Sequence, residues 1–217
     1  MSVKDNLITI KESLPAHVTL VAVSKTKPIS DIEEAYAAGQ RIFGENKIQE
    51  MTQKWEALPK DIAWHMIGHV QRNKVKYMAE YVSLIHGVDS LKLLQEINKQ
   101  AKKHQRVIPC LLQFHIAEEA TKFGFDEAEF NALIASGNIS ALQHIKIVGC
   151  MGMATFTDDQ HQIRREFKTL KTLFDRAKTK FPEISTLSMG MSGDYQIAIE
   201  EGSTMVRLGS SIFGSRK

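Results

Sequence analysis

The feature that most constrains this chain is an alternation. Eight apolar runs of strand length recur along it, at 19–24, 41–44, 64–68, 83–88, 108–115, 145–152, 186–190 and 205–209, and helical patterns fill most of the gaps. A leading segment carries Val3, Leu7, Ile10 and Leu14 on one face. Ser30 and Glu33 have the spacing of a capping box, with Gly39 where the helix should stop. Leu91, Leu94 and Ile97 mark a further helix. Residues 157–160 open another, with Ile163, Phe167, Leu170 and Phe174 as its apolar stripe. A strand that crosses over through a helix returns to the same edge and pairs in parallel. Eight such units suit closure into a single parallel (β/α)8 barrel of the TIM type over residues 1–217, preceded by a helix. An open doubly wound sheet is the alternative. No Pro/Gly-rich linker, low-complexity tract or charge run divides the chain.

Composition excludes several classes. The 217 residues suffice for one sizeable core, and 43% apolar with 24% charged residues is ordinary for a globular protein. A net charge of +3 is too small to argue for nucleic acid. The N-terminal stretch has charges at Lys4, Asp5, Lys11 and Glu12 and does not read as a signal peptide, and no apolar run is long enough for a membrane span. The expectation is a cytoplasmic protein with no membrane partner. Cys110 and Cys150 make neither a disulfide framework nor a zinc set and read as small buried hydrophobes in strands.

Active sites of such barrels gather at the C-terminal ends of the strands, so those ends carry the functional argument. The first run leads into Lys25. Alternation puts Val21, Val23 and Lys25 on one face, so if the valines fill the interior the amine points inward too. Burial makes an amine a better nucleophile toward an aldehyde, although solvation is the ordinary fate of a strand-end lysine. Asn46, after the second run, could offer its amide to a ligand, or cap the next helix, its more ordinary use. His65 and His69 share a strand face, so a metal pair is conceivable; no third ligand is evident, and no metal is expected. After the seventh run, Ser192 or Asp194 would stand at the start of a helix from about Tyr195 to Glu201, where free N–H groups favour a phosphate. The eighth run ends in Arg207-Leu-Gly209-Ser210-Ser211, a second glycine–serine turn at a strand end where such barrels often hold phosphate.

Four stretches of the sequence resemble the pyridoxal phosphate homeostasis family, also called the proline synthetase co-transcribed homologue family. They are Val21-Ala-Val-Ser-Lys25-Thr-Lys-Pro28, Phe43-Gly-Glu-Asn46, Trp64-His-Met-Ile-Gly-His-Val-Gln-Arg-Asn-Lys74, and Ser188-Met-Gly-Met-Ser192 together with 202–214. The resemblance covers nearly the whole chain in order. It implies a barrel like the N-terminal domain of alanine racemase and pyridoxal 5'-phosphate (PLP) as cofactor, held as a Schiff base on Lys25. It implies Arg207 at the pyridine nitrogen, Ser192, Gly209 and Ser210 at the phosphate, and Asn46 among the cofactor-binding residues. It also implies a role in vitamin B6 balance with no defined reaction.

Two functions follow as expectations: a non-catalytic holder of PLP, and a PLP-dependent amino-acid racemase as the alternative. The racemase needs acid–base groups on both faces of the substrate carbon, one of them completed by a further domain for which this sequence has no residues left. The holder is therefore expected, as a monomer, with PLP-dependent apo-enzymes as possible recipients. Lys27 and Lys122 are the other amines to consider.

Overall fold

A computed structural model describes residues 2–119 and 123–214. Eight parallel strands close in sequential order into a barrel: β1 (Thr19–Val23), β2 (Ile42–Glu45), β3 (Ala63–Met66), β4 (Leu84–Val88), β5 (Ile108–Gln113), β6 (Ile145–Met151), β7 (Thr186–Ser188) and β8 (Met205–Leu208). Closure is made by β1 and β8, which pair from Thr19↔Met205 to Ala22↔Leu208, so the open sheet is excluded. Outside the strands lie α1 (Val3–Ser13), α2 (Ile29–Ala37), α3 (Ile48–Ala57), α4 (Leu91–Lys103), α5 (Glu127–Ala135), α6 (Gln160–Lys180), α7 (Tyr195–Glu200) and α8 (Ser210–Phe213). A 3-10 turn at Arg72–Tyr77 replaces a full helix between β3 and β4.

Several expected boundaries shift. β3 and β7 stop at Met66 and Ser188, and β5 stops at Gln113. The capping box at Ser30 and Glu33 does not form. Helix α2 begins at Ile29, with Pro28 as N-cap and no side-chain cap bond. Pro28, at φ −66° and ψ 160°, already sets the extended entry, so Ser30 falls inside the first turn. Gly39 ends the helix as expected, at φ 85° with its N–H donating to Tyr36 O. Asp159 caps α6, its Oδ1 accepting from the N–H groups of His161 (2.9 Å) and Gln162 (3.2 Å).

Alternation along the strands builds two apolar layers. Val21, Val23, Ile67, Leu84, Leu111, Met151 and Met205 fill the barrel interior, so the first strand faces as its sequence implied. The outer layer lies between sheet and helices and buries Phe43, Trp64, Phe114, Phe130 and Phe167. Gly44 is needed where the two valine and isoleucine side chains meet: a Cβ there would lie 2.9 Å from Val21 Cγ1 and 3.1 Å from Ile67 Cδ1. Cys110 and Cys150 are buried and form no disulfide, and desolvation pushes both thiols up, which keeps them protonated. Among the described residues no helix is long and apolar enough to cross a membrane.

Candidate functional site

The C-terminal ends of the strands surround a cavity of about 620 Å³. Lys25, Asn46, Ser192, Arg207, Gly209 and Ser210, singled out separately along the sequence, all line it. Lys27 lines it too, but its Nζ donates to Phe213 O (2.8 Å) and Gly214 O (3.0 Å), capping the last carbonyls of α8. Lys122 lies outside the described residues.

Lys25 follows β1, half-buried, on the inward-facing side of the alternation. The next residue, Thr26, has φ 62°, in the left-handed region that an L side chain disfavours. Its N–H is held by Glu50 Oε1 at 2.6 Å. Ser24 points the other way, into the layer between the sheet and α3, where its hydroxyl donates to Glu45 Oε1 at 2.6 Å. Lys54 Nζ enters the same layer. It donates to Ser24 O (2.8 Å), Glu45 Oε1 (2.8 Å) and Glu50 Oε1 (2.7 Å). Burial raises the pKa of Glu45, and the neighbouring ammonium opposes that shift. The sequence reading passed over this cluster. Its trace was the i,i+4 spacing of Glu50 and Lys54.

Asn46 does not cap α3. The N-cap is Lys47, with no side-chain cap bond, and Asn46 faces the cavity. Asp194 stands at the start of α7, as the sequence implied: it is the N-cap, makes no side-chain bond into the helix, and its Oδ1 accepts from Met191 N (2.5 Å). Ser192 stands before it and reaches across to the end of β8, where its Oγ accepts from Gly209 N (3.3 Å) and Ser211 N (3.5 Å). The two glycine–serine turns therefore meet as one patch of N–H and hydroxyl donors.

Arg207 is buried at 4% exposure inside the barrel. Its Nη1 donates to Ser188 O (2.9 Å) and Ser188 Oγ (2.6 Å), and its Nη2 to Gly152 O (3.1 Å). Among the described residues none of these partners is a carboxylate. Burial pushes its pKa down to about 10, so it remains charged at neutral pH. Beneath it, Ser188 Oγ lies 3.0 Å from His86 Nδ1, and His86 Nε2 lies 3.1 Å from His65 Nδ1. Desolvation pushes His65 down to about 3 and His86 well below its ordinary value, so both rings are neutral. The Ser188 oxygen accepts from Arg207 and is also bonded to His86 Nδ1; which partner donates there and between His86 and His65 is set by the histidine tautomers.

The histidine pairing read from the third strand is corrected here. His65, on the inward side of β3 with Ile67, meets His86 inside the barrel, and β3 ends at Met66. His69 lies beyond the strand at the mouth, 3.3 Å from Asp89 and stacked on Phe123. Among the described residues no three metal-ligating side chains come together. The loops after β5 and β6 add rim residues that the sequence reading missed, Phe123 and Phe156, the latter 93% exposed.

A parallel eight-stranded barrel with an inward lysine after β1, a buried arginine on β8 and donors at the β7 and β8 ends defines a barrel of the racemase N-terminal class. The family described as "Alanine racemase, N-terminal domain" matches residues 1–217. The pyridoxal phosphate homeostasis protein of Vibrio alginolyticus is 42% identical over 207 residues, covering 93% of this chain and 88% of that protein. The protein of that name from Escherichia coli K12 is 38% identical over 209 residues, covering 93% and 87%. The chain belongs to the pyridoxal phosphate homeostasis protein family. Among solved structures, PipY of Synechococcus elongatus, determined with PLP bound, superposes with a TM-score of 0.89 at 34% identity, covering 98% of this chain and 100% of that one. An alanine racemase from Bartonella henselae superposes at 0.74 with 17% identity, over 98% of this chain and 58% of the racemase, which is a likeness of fold.

Proposed function

We propose that this chain binds PLP in the cavity, with Lys25 as the covalent attachment point, and serves as a cytoplasmic, monomeric holder of the cofactor that releases it to apo-enzymes. The observation that carries this reading is the convergence of Lys25, Asn46, Ser192, Arg207, Gly209 and Ser210 on one cavity at the strand ends. The donor set fits the group: an amine, a buried guanidinium bonded to neutral oxygens, and a patch of N–H and hydroxyl donors suited to a phosphate. Bound PLP supplies an aldehyde that condenses reversibly with a primary amine. Lys25 offers that amine from the end of β1. Ser192 and the Gly209–Ser210 turn hold the phosphate, and Arg207 sets the far end of the ring. A permanent positive charge at Arg207 disfavours a second positive charge on any nitrogen it faces, which restrains carbanion chemistry and supports binding over turnover. The PLP-bound neighbour at 34% identity supports the same reading. The racemase alternative rests on the barrel alone.

Borohydride reduction of protein loaded with PLP, followed by peptide mapping, tests the attachment. Label on Lys25, and its loss in Lys25→Ala, are the expected results; label on another lysine in the wild type overturns the assignment. Cofactor transfer to an excess of apo-enzyme, with single enantiomers of amino acids keeping their optical rotation, separates the holder from a racemase.

A further inference from the structure

The two peptide groups that flank Lys25 are tied into one closed ring by side chains of α3. On one side, the carbonyl of Ser24 accepts from Lys54 Nζ at 2.8 Å. On the other, the N–H of Thr26 donates to Glu50 Oε1 at 2.6 Å. Lys54 and Glu50 are bonded to each other at 2.7 Å, which closes the ring around the lysine's own backbone. Glu45 braces the ring from the sheet, accepting from Lys54 at 2.8 Å and from the Ser24 hydroxyl at 2.6 Å, with its own side chain fully buried. The ring is anchored at its back and holds Thr26 at φ 62°, a conformation that an L residue leaves when nothing holds it.

We infer that the Glu50–Lys54 pair, braced by Glu45, is a clamp that fixes the direction in which Lys25 leaves β1 and so presents its amine to the aldehyde of PLP. Three features carry the inference. The clamp grips the two peptide groups adjoining Lys25. It works through charged partners, whose hydrogen bonds are the stronger kind. It spends a strained backbone conformation on this one position, next to the residue whose direction matters. An ion pair that served α3 alone would need neither the Ser24 carbonyl nor the Thr26 N–H. Glu50 and Lys54 act here as positioning residues, since they touch the lysine's backbone and not the ligand.

The inference rests on Lys25 being the attachment amine, and the test separates the two. Equilibrium binding is measured for PLP and for 4'-deoxypyridoxine 5'-phosphate, which keeps the ring and phosphate but lacks the aldehyde. Wild type should prefer PLP, and Lys25→Ala should abolish the preference. In Glu50→Ala, affinity for PLP should fall about tenfold or more while affinity for the deoxy analogue stays unchanged. Lys54→Met should behave alike. Glu50→Gln keeps an acceptor for the Thr26 N–H and should retain part of the preference; it also serves as the readable variant if Glu50→Ala folds poorly by circular dichroism and thermal melting. Equal losses for both ligands would show a purely structural ion pair, and an intact preference in all three variants would show that Lys25 needs no clamp; either overturns the inference while leaving the attachment site standing. A wild type without preference overturns both.

Discussion

At the scale of single residues, the candidate site was legible where a residue's place along its strand decides which way it faces. Lys25 could be read from alternation, because Val21 and Val23 define the inward face of β1. Ser192 was expected at the start of a helix, a place that Asp194 takes; its Oγ instead meets the Gly209 and Ser211 N–H groups, a contact between distant strand ends that local patterns do not encode. Ser192→Ala should weaken PLP about ten- to a hundredfold, from the loss of one charge-assisted hydrogen bond, and pyridoxal without phosphate much less. Titration of both ligands checks this; equal losses would place the phosphate elsewhere. The chain from Arg207 through Ser188 and His86 to His65 was invisible in the sequence, since each member sits on a different strand. It makes a pH prediction. Unfolded, the two histidines take up protons near pH 6.5; folded, they resist, His65 down to about 3. The unfolded chain thus binds more protons in that window, so the stability present above pH 6.5 is lost as pH falls toward 3. The slope approaches about 1.4 kcal/mol per pH unit for each histidine. Urea unfolding at pH 7, 6 and 5 should show the decline, and His65→Gln should reduce it; an undiminished slope in that variant would assign it to other groups.

At the scale of elements, all eight strands were legible because apolar runs bounded by turn residues leave a clear trace. Their ends were less so. The third run continues to Gly68 in sequence, but β3 stops at Met66, which leaves His69 beyond the strand at the rim while His65 faces inward by alternation. Helix starts were read from side-chain caps, which failed at α2 because Pro28 does the same work through its backbone. Close strand approach is another feature that composition hides. At Gly149, on β6, an added Cβ would lie only 1.9 Å from the Thr186 carbonyl oxygen at the start of β7. Backbone cannot yield as a side-chain tip can, so β6 and β7 would have to part. Gly149→Ala should cost about 3 kcal/mol or more, at the upper end of overpacking effects. Gly137→Ala, where a Cβ meets nothing within 4 Å, controls for open space, with its own cost coming from φ 65°. Denaturant midpoints read both; a Gly149→Ala loss no larger than that of Gly137→Ala would refute the steric account.

At the scale of the whole molecule, the barrel is closed by its first and last strands, and the proposed ligand groups stand on either side of that closure. β1 and β8 pair from Thr19↔Met205 to Ala22↔Leu208, while β7 and β8 share the single register pair Ser188↔Met205. The last strand is held by the first over four register pairs and by the β7 end through the Thr204–Leu187, Met189–Met205 and Arg207–Gly190 backbone bonds, and its pairing with β1 spans nearly the full length of the chain. Contacts of such sequence separation are the costly ones to form, since chain closure precedes their reward. Lys25 extends from β1, and Arg207, Gly209 and Ser210 belong to β8 and its end, so a ligand held by all of them would bridge the seam. Binding to the folded state alone stabilises it by about 2.7 kcal/mol at a hundredfold excess over Kd, a rise in Tm of roughly 5–10 °C for a chain of this size. The distribution of that effect is the sharper prediction. Hydrogen exchange with and without PLP should show added protection concentrated in β1 and β8, at 19–23 and 205–208, beyond that in β4 and β5 on the far side of the barrel. Lys25→Ala should retain part of the protection at β8 through the phosphate contacts and lose most of it at β1. Protection spread evenly over all eight strands would mean that the ligand stabilises the barrel without stapling its seam, and protection confined to β4 and β5 would move the site to the opposite wall.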